Sequence, residues 1–297
     1  VDRGSCQKHL KQPSAQKSSE DIQKPVVCLL IALCFVLAGW TAAAAQAVIT
    51  LSSPIQLTTD SATQLDPAIS GDIVVYTDLR NGNEEVYYYD LSSGTETRIT
   101  TSSANQRLND VSGSRIVYTD YTSPGARINL YDVTSGLTGS ISSGTGQNPR
   151  IDEDIVVFER GPSTNLDVIA IDLSSGQETP LAGTTAQEQA PVVSGRRVAY
   201  EWHAFLGAPG QIVVFDLDTH AEIILGDPDF DDRRPDIDGN LVVWDVCTAA
   251  GDCSNGGDIA IHDISTGTTQ VLAMAGIQRW AHVSGRVVVF DDDSSGT

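Results

Sequence analysis

From residue 55 onward the apolar residues come in short runs, not at helical spacing. Ile73-Val74-Val75-Tyr76, Val86-Tyr87-Tyr88-Tyr89 and Ile212-Val213-Val214-Phe215 are typical. Each run is bounded by Gly, Ser, Asp or Asn, which supply turns. Short β-branched and aromatic runs between turn residues predict strands. The whole region therefore reads as all-β.

The strands recur. A turn returns at Ser70-Gly71-Asp72, Ser112-Gly113-Ser114, Asp152-Glu153-Asp154, Ser194-Gly195-Arg196, Asp238-Gly239-Asn240 and Ser284-Gly285-Arg286. Its centres, at 71, 113, 153, 195, 239 and 285, step by 42, 40, 42, 44 and 46 residues. Five residues after each centre stands an aromatic: Tyr76, Tyr118, Phe158, Tyr200, Trp244, Phe290. Two before each stands Ile69, Val111, Ile151, Val193, Ile237 or Val283. Four before, Pro67, Pro149, Pro191 and Pro235 recur, with Asn109 and Ala281 as exceptions. A second turn follows in each of the first five units: YDLSSG 89–94, YDVTSG 131–136, IDLSSG 171–176, FDLDTH 215–220 and HDISTG 262–267.

Four short strands in about 42 residues is the size of a propeller blade. One such sheet cannot cover both faces, so blades must stack radially. The expected fold is a six-bladed β-propeller over 48–297, each blade of four antiparallel strands, with the last blade cut short at DDDSSGT. Ile55–Thr59 repeats the spacing of an outer strand and is expected to complete that last blade. The run P-A-I-S-G-D-I-V-V-Y-T-D at 67–78, with RNGN at 80–83 and YDLSSG at 89–94, resembles the TolB-like propellers. Within that group it is similar to bacterial and archaeal cell-surface repeat proteins. The resemblance implies a periplasmic or surface module that works by binding other envelope components.

The first residues differ in kind. Residues 1–24 are a basic polar leader, 26–38 (VVCLLIALCFVLA) are unbroken apolar, and 45–47 read Ala-Gln-Ala. A basic stretch, a short apolar core and an A-x-A end predict a secretory signal over 25–47, cleaved after Ala47. The apolar run is short for a membrane span, which takes about 20 residues. An exported chain is thus expected, periplasmic, surface-bound or extracellular. All lysines precede residue 25; residues 48–297 hold 13 arginines against 36 acids, a net charge of −23. Nucleic acid is excluded as the main partner by that sign. The acids fall mostly in turns, where solubility explains them. Cys247 and Cys253 are the two cysteines beyond the leader; in an exported chain they predict a local disulfide.

Candidate chemistry sits where the repeat lengthens. Blades four and five carry extra residues between their second and third strands, at 202–211 (WHAFLGAPGQ) and 246–258 (VCTAAGDCSNGGD). Trp202, His203 and Phe205 are large groups expected in a surface loop, where binding tends to reside. The crossover 226–239 (GDPDFDDRRPDIDG) carries Arg233 and Arg234 among many carboxylates. Oxygen ligands suggest calcium there, but the spacing is not that of an EF-hand; a solvated acidic loop is the other reading. Trp280 adds an aromatic near the start of the last blade. Three before each centre, Ala68, Asp110, Arg150, Val192, Asp236 and His282 are expected on the inner strands. No G-x-S-x-G, H-E-x-x-H or P-loop occurs, so no catalytic residue and no metal site is assigned. The expected function is non-catalytic binding of an envelope or extracellular protein or glycan, as a monomer and without a cofactor. The alternative is a propeller-type hydrolase or lyase on polysaccharide, or the propeller part of a longer peptidase.

Overall fold

The computed structural model describes residues 31–32, 54–122, 124–182, 185–247 and 257–293. Two residues of the apolar run form β1 (Ile31–Ala32). The first blade follows as β2 (Gln64–Ser70), β3 (Ile73–Asp78), β4 (Glu85–Asp90) and β5 (Thr95–Arg98). The second holds β6 (Gln106–Ser112), β7 (Arg115–Asp120), β8 (Arg127–Asp132) and β9 (Leu137–Ser140). The third holds β10 (Gln147–Asp152), β11 (Ile155–Arg160), β12 (Asp167–Asp172) and β13 (Gln177–Pro180). The fourth holds β14 (Gln187–Ser194), β15 (Arg197–His203), β16 (Gly210–Asp216) and β17 (Glu222–Leu225). The fifth holds β18 (Asp231–Asp238), β19 (Leu241–Cys247), β20 (Gly257–Asp263) and β21 (Thr268–Leu272). The last holds β22 (Gln278–Ser284) and β23 (Val287–Asp292). Every pairing is antiparallel and sequential in the first five sheets.

The last sheet corrects one expectation. Ile55–Thr59 forms no strand. The outer edge of β23 pairs instead with β1, through Ile31–Val288 and Ala32–Val287. Residues 55–59 carry the outer-strand spacing, but the edge they were expected to cover is taken by β1.

Five apolar clusters lie between successive blades. Val75 and Val86 of the first blade meet Val111, Ile116 and Tyr118 of the second. Ala199, Ile212 and Val214 of the fourth meet Ile237, Val242 and Trp244 of the fifth. The residue two before each turn centre therefore buries against the blade that precedes it, as do Val111, Ile151, Ile237 and Val283. Ile69, in the first blade, is 64% exposed.

Polar stitches run alongside these clusters. The residue before one turn centre accepts the N–H of the next blade's centre. Ser70 Oγ takes Gly113 at 2.9 Å, Ser112 Oγ takes Glu153 at 2.9 Å, Asp152 Oδ2 takes Gly195 at 2.7 Å, Ser194 Oγ takes Gly239 at 3.0 Å, and Asp238 Oδ2 takes Gly285 at 2.6 Å. This explains Ser or Asp at that place. The centre itself is left-handed, at φ 56 in Gly71 and 48 in Glu153. That conformation costs a residue with a Cβ roughly 1–2 kcal/mol. Glu153→Gly is expected to raise unfolding free energy by about 1 kcal/mol, measured by urea denaturation; an unchanged midpoint counts against strain at this turn.

Each inner strand also carries a bulge. Pairing slips between Leu65 and Ala68, Arg107 and Asp110, Gln147 and Arg150, Gln189 and Val192, Arg233 and Asp236, and Arg279 and His282. Five residues before the centre, Asp66, Asn148, Ala190, Arg234 and Trp280 have positive φ. The N–H groups of the last four leave the ladder and point at the preceding blade. There Thr119 Oγ1 accepts Asn148 at 3.1 Å, Glu159 Oε1 accepts Ala190 at 2.9 Å, Glu201 Oε1 accepts Arg234 at 2.7 Å and Asp245 Oδ2 accepts Trp280 at 2.9 Å. The recurring proline follows the bulge and has no N–H to satisfy. Where it is absent, Ala281 donates to the second oxygen of Asp245 at 3.3 Å. Acids read from sequence as solubilising are thus in several cases buried acceptors: Glu159, Glu201, Asp231, Asp232 and Asp245 are all inside.

Candidate functional site

The strand ends on the β15–β16 hairpin side of blades four to six carry the candidate residues. The lengthened repeat of blade four extends the ladder and not the loop, and that of blade five extends both. Trp202 and His203 belong to β15, and His203 pairs with Gly210 across the hairpin. The loop is only 204–209. Arg233 and Arg234, expected in a crossover loop, lie in β18. β19 runs through Cys247 and β20 starts at Gly257, so the second loop shrinks to 248–256, outside the described residues. Cys247 is buried at the end of β19; Cys253 lies outside the described residues, so the disulfide remains an expectation.

His203 is a packing residue here, not a surface ligand. Its Nε2 lies 3.2 Å from Glu201 Oε2, and its Nδ1 2.9 Å from the Ala208 carbonyl. Burial opposes charge on the ring. The hydrogen bonds to Glu201 and Ala208 outweigh it and raise the imidazole above its ordinary pKa. Burial pushes Glu201 up, but His203, the Arg234 N–H and Gln189 outweigh it and hold the carboxyl low. Gly210 is required beside them: a Cβ there would come within 2.6 Å of the Asp232 carbonyl and 2.7 Å of His203 Cε1.

Trp202 is half-buried against the core between blades three and four. That leaves Phe205 and Leu206 as the exposed pair at the hairpin tip, 65% and 57% exposed. Two-residue apolar tips of this kind are uncommon in a surface with no use for them. Gly207, at φ 87, and the Ala208 N–H to the Phe205 carbonyl at 2.9 Å close the tip.

Arg233 pairs with Asp231 at 2.7 Å, and Arg234 with buried Asp245 at 2.7 Å. Arg234 also approaches the Trp280 ring, 5.9 Å from its centroid. Arg279 lies closer, at 4.6 Å. Trp280 is 40% exposed and sits at φ 56. The structure so brings Arg234 and Trp280 together and adds Arg279 and Leu206, which sequence reading missed. The Arg279-Trp280 dipeptide at the bulge offset was the available signal.

The residues three before the centre also make contacts from blade to blade. Asp110 accepts Ile151 N–H at 3.0 Å, and Asp236 accepts Val283 N–H at 2.9 Å and His282 Nδ1 at 3.3 Å. Burial raises Asp110, against the nearby Arg150 charge; Asp236 raises His282. Asp110 and Arg150 form no direct ion pair: Asp110 accepts the N–H of Val111 in its own strand and that of Ile151 in the next blade. His262 is buried with Nδ1 2.8 Å from Thr269 Oγ1. Among the described residues no three His, Cys, Asp or Glu gather as a metal site, and no helix is long and apolar enough to cross a membrane.

No protein-family model and no curated relative matches the chain. Solved structures do. TolB from Acinetobacter baumannii is similar over 79% of this chain and 55% of its own, at 19% identity and a TM-score of 0.54. The β-propeller domain of the Trilobed protease from Pyrococcus furiosus matches over 77% of both chains, at 13% identity and a TM-score of 0.57. An oligogalacturonate lyase solved with manganese matches over 72% of this chain and 65% of its own, at 13% identity and 0.52. The chain thus spans about half the length of the TolB it resembles. At these identities the likeness defines the fold: this is a TolB-like β-propeller.

Proposed function

We propose that the chain is an exported, non-catalytic propeller that binds an envelope or extracellular protein or glycan. The observation that carries this is the pair of exposed apolar and cation–aromatic features, Phe205-Leu206 at the hairpin tip of blade four and Arg279-Trp280 at the start of β22 in blade six. A rigid scaffold holding aromatic and arginine groups in water has the composition of an interaction hot spot. Export rests on the basic leader, apolar run and A-x-A end. In this reading Cys247 bonds Cys253 and stiffens the loop beside the site, lowering the entropy cost of binding. A second reading, the propeller part of a polysaccharide lyase, hydrolase or peptidase, is favoured by the lyase and protease among the similar folds.

Phe205→Ala with Leu206→Ala tests the binding reading. We expect the double variant to bind isolated envelope fractions at least about tenfold more weakly with an unchanged melting temperature, since little buried area is lost. Trp202→Ala should do the reverse, losing about 1–3 kcal/mol of stability through packing and keeping binding. Unchanged binding in the double variant removes the hairpin tip from the site.

A further inference from the structure

The Arg279–Trp280 pair has a chemistry more specific than an apolar knob. Trp280 is a bulky residue held in left-handed backbone, at φ 56. The same left-handed bulge recurs at Asp66, Asn148, Ala190 and Arg234, so it belongs to the repeat. Here Asp245 imposes it by accepting both the Trp280 and Ala281 N–H groups. The indole stays 40% exposed. Arg279 lies against it at 4.6 Å and, among the described residues, joins no ion pair, although Asp291 stands opposite it in the ladder. The net charge of −23 over residues 48–297 opposes a long polyanion, so what Arg279 offers is a local cation suited to a single carboxylate. A guanidinium stacked on a ring keeps its N–H fork free at the rim, preset for a planar anion such as a carboxylate. Arg234, on the same indole, is engaged and neutralised by Asp245, so it does not compete for the fork.

We infer that Arg279 and Trp280 form a subsite for a carboxylate-bearing sugar ring, a uronate residue of an acidic glycan. Arg279 takes the carboxylate in two parallel hydrogen bonds. The indole covers the C–H surface of the sugar ring. A flexible acidic peptide side chain offers the first contact but has no ring for the second. This rests on the binding reading above and names its ligand.

The test uses the full chain with oligogalacturonate as probe, by calorimetry at neutral pH. Binding is expected, weakening as salt rises because the pair is solvent-facing. A neutral galactan and poly-glutamate should each bind about tenfold more weakly. Arg279→Gln should lose about tenfold, near 1.4 kcal/mol. Trp280→Gly should lose as much, yet keep or raise the melting temperature, because glycine accepts the left-handed backbone without strain. That combination separates loss of a site from loss of fold. Failure of oligogalacturonate to bind, or equal binding by both variants, overturns the proposal. Equal affinity for poly-glutamate also overturns it, in favour of an acidic protein partner. If both variants still lose envelope binding while uronate is inert, only the ligand class fails. If unsaturated products accumulate from the probe, the non-catalytic reading fails while the subsite stands.

Discussion

Asp232→Asn is expected to make the protein more stable at pH 8 by about 2–4 kcal/mol, and to change little at pH 4. Asp232 is 1% exposed at the second position of β18. One oxygen accepts the Asp227 N–H at 3.2 Å. The other has no partner, and the Trp244 indole N–H lies beside the carboxyl but outside hydrogen-bond geometry. Burial, aided by the charges of Asp231 and Asp227, pushes the group up to about 7. An unfolded aspartate titrates at about 3.9. Below that value the carboxyl is neutral in both states and costs nothing. Between there and 7 the unfolded chain releases its proton and the folded chain keeps it, so stability falls as pH rises. Above 7 the full cost of a buried anion is present; three units correspond to about 4 kcal/mol. An amide keeps the Asp227 hydrogen bond through its oxygen and never ionises. Urea titrations of both proteins from pH 4 to 8 check this. The difference between them should grow with pH; a constant difference would refute the assignment.

What the sequence discloses and what it hides follow from how far apart the interacting atoms are in the chain. The turn centres are local: Gly71, Gly113, Gly195, Gly239 and Gly285 all take the positive φ their residue type announces. The aromatic five residues on is local too, because strand alternation places it inward; Phe158, Tyr200 and Trp244 are almost fully buried. The bulges were invisible. Positive φ there falls on Asp66, Asn148, Ala190, Arg234 and Trp280, which share no side-chain property. In the last four, what takes the N–H is an acceptor in the preceding blade, 29 to 35 residues back. For the same reason Glu201 and Asp245 looked like surface acids. The candidate loops misled in a third way. Extra residues were assigned to loops because length alone cannot tell a longer hairpin ladder from a longer tip. Trp202, His203, Arg233 and Arg234 consequently moved into strands, and Phe205 with its neighbour Leu206 kept the tip.

Asp245→Ala is expected to cost about 3–5 kcal/mol, as when one member of a buried charged pair is removed. The carboxylate is fully buried and holds three donors: Arg234 Nε at 2.7 Å, Trp280 N–H at 2.9 Å and Ala281 N–H at 3.3 Å. Alanine leaves two backbone N–H groups between blades five and six without an acceptor, each worth about 1–3 kcal/mol when buried. It also releases the Arg234 guanidinium, one-third exposed, which can turn to water and recover part of the loss. Asp245→Thr should therefore cost less than Asp245→Ala. Thr119 already caps Asn148 in this way between blades two and three, with a single oxygen for a single donor because Pro149 follows. At Trp280 a threonine satisfies one N–H and leaves Ala281 bare. Adding Ala281→Pro to Asp245→Thr removes the second donor and recreates the arrangement of the other blades, so stability should recover by about 1–2 kcal/mol. Urea unfolding of the three variants measures each step. A loss below about 1 kcal/mol for Asp245→Ala, or no recovery with Ala281→Pro, would mean that the bulge N–H groups find other acceptors. If the stitch is what holds Trp280 in place, Asp245→Ala must also weaken ligand binding at Arg279, while Asp245→Thr, which keeps an acceptor for the Trp280 N–H, retains it.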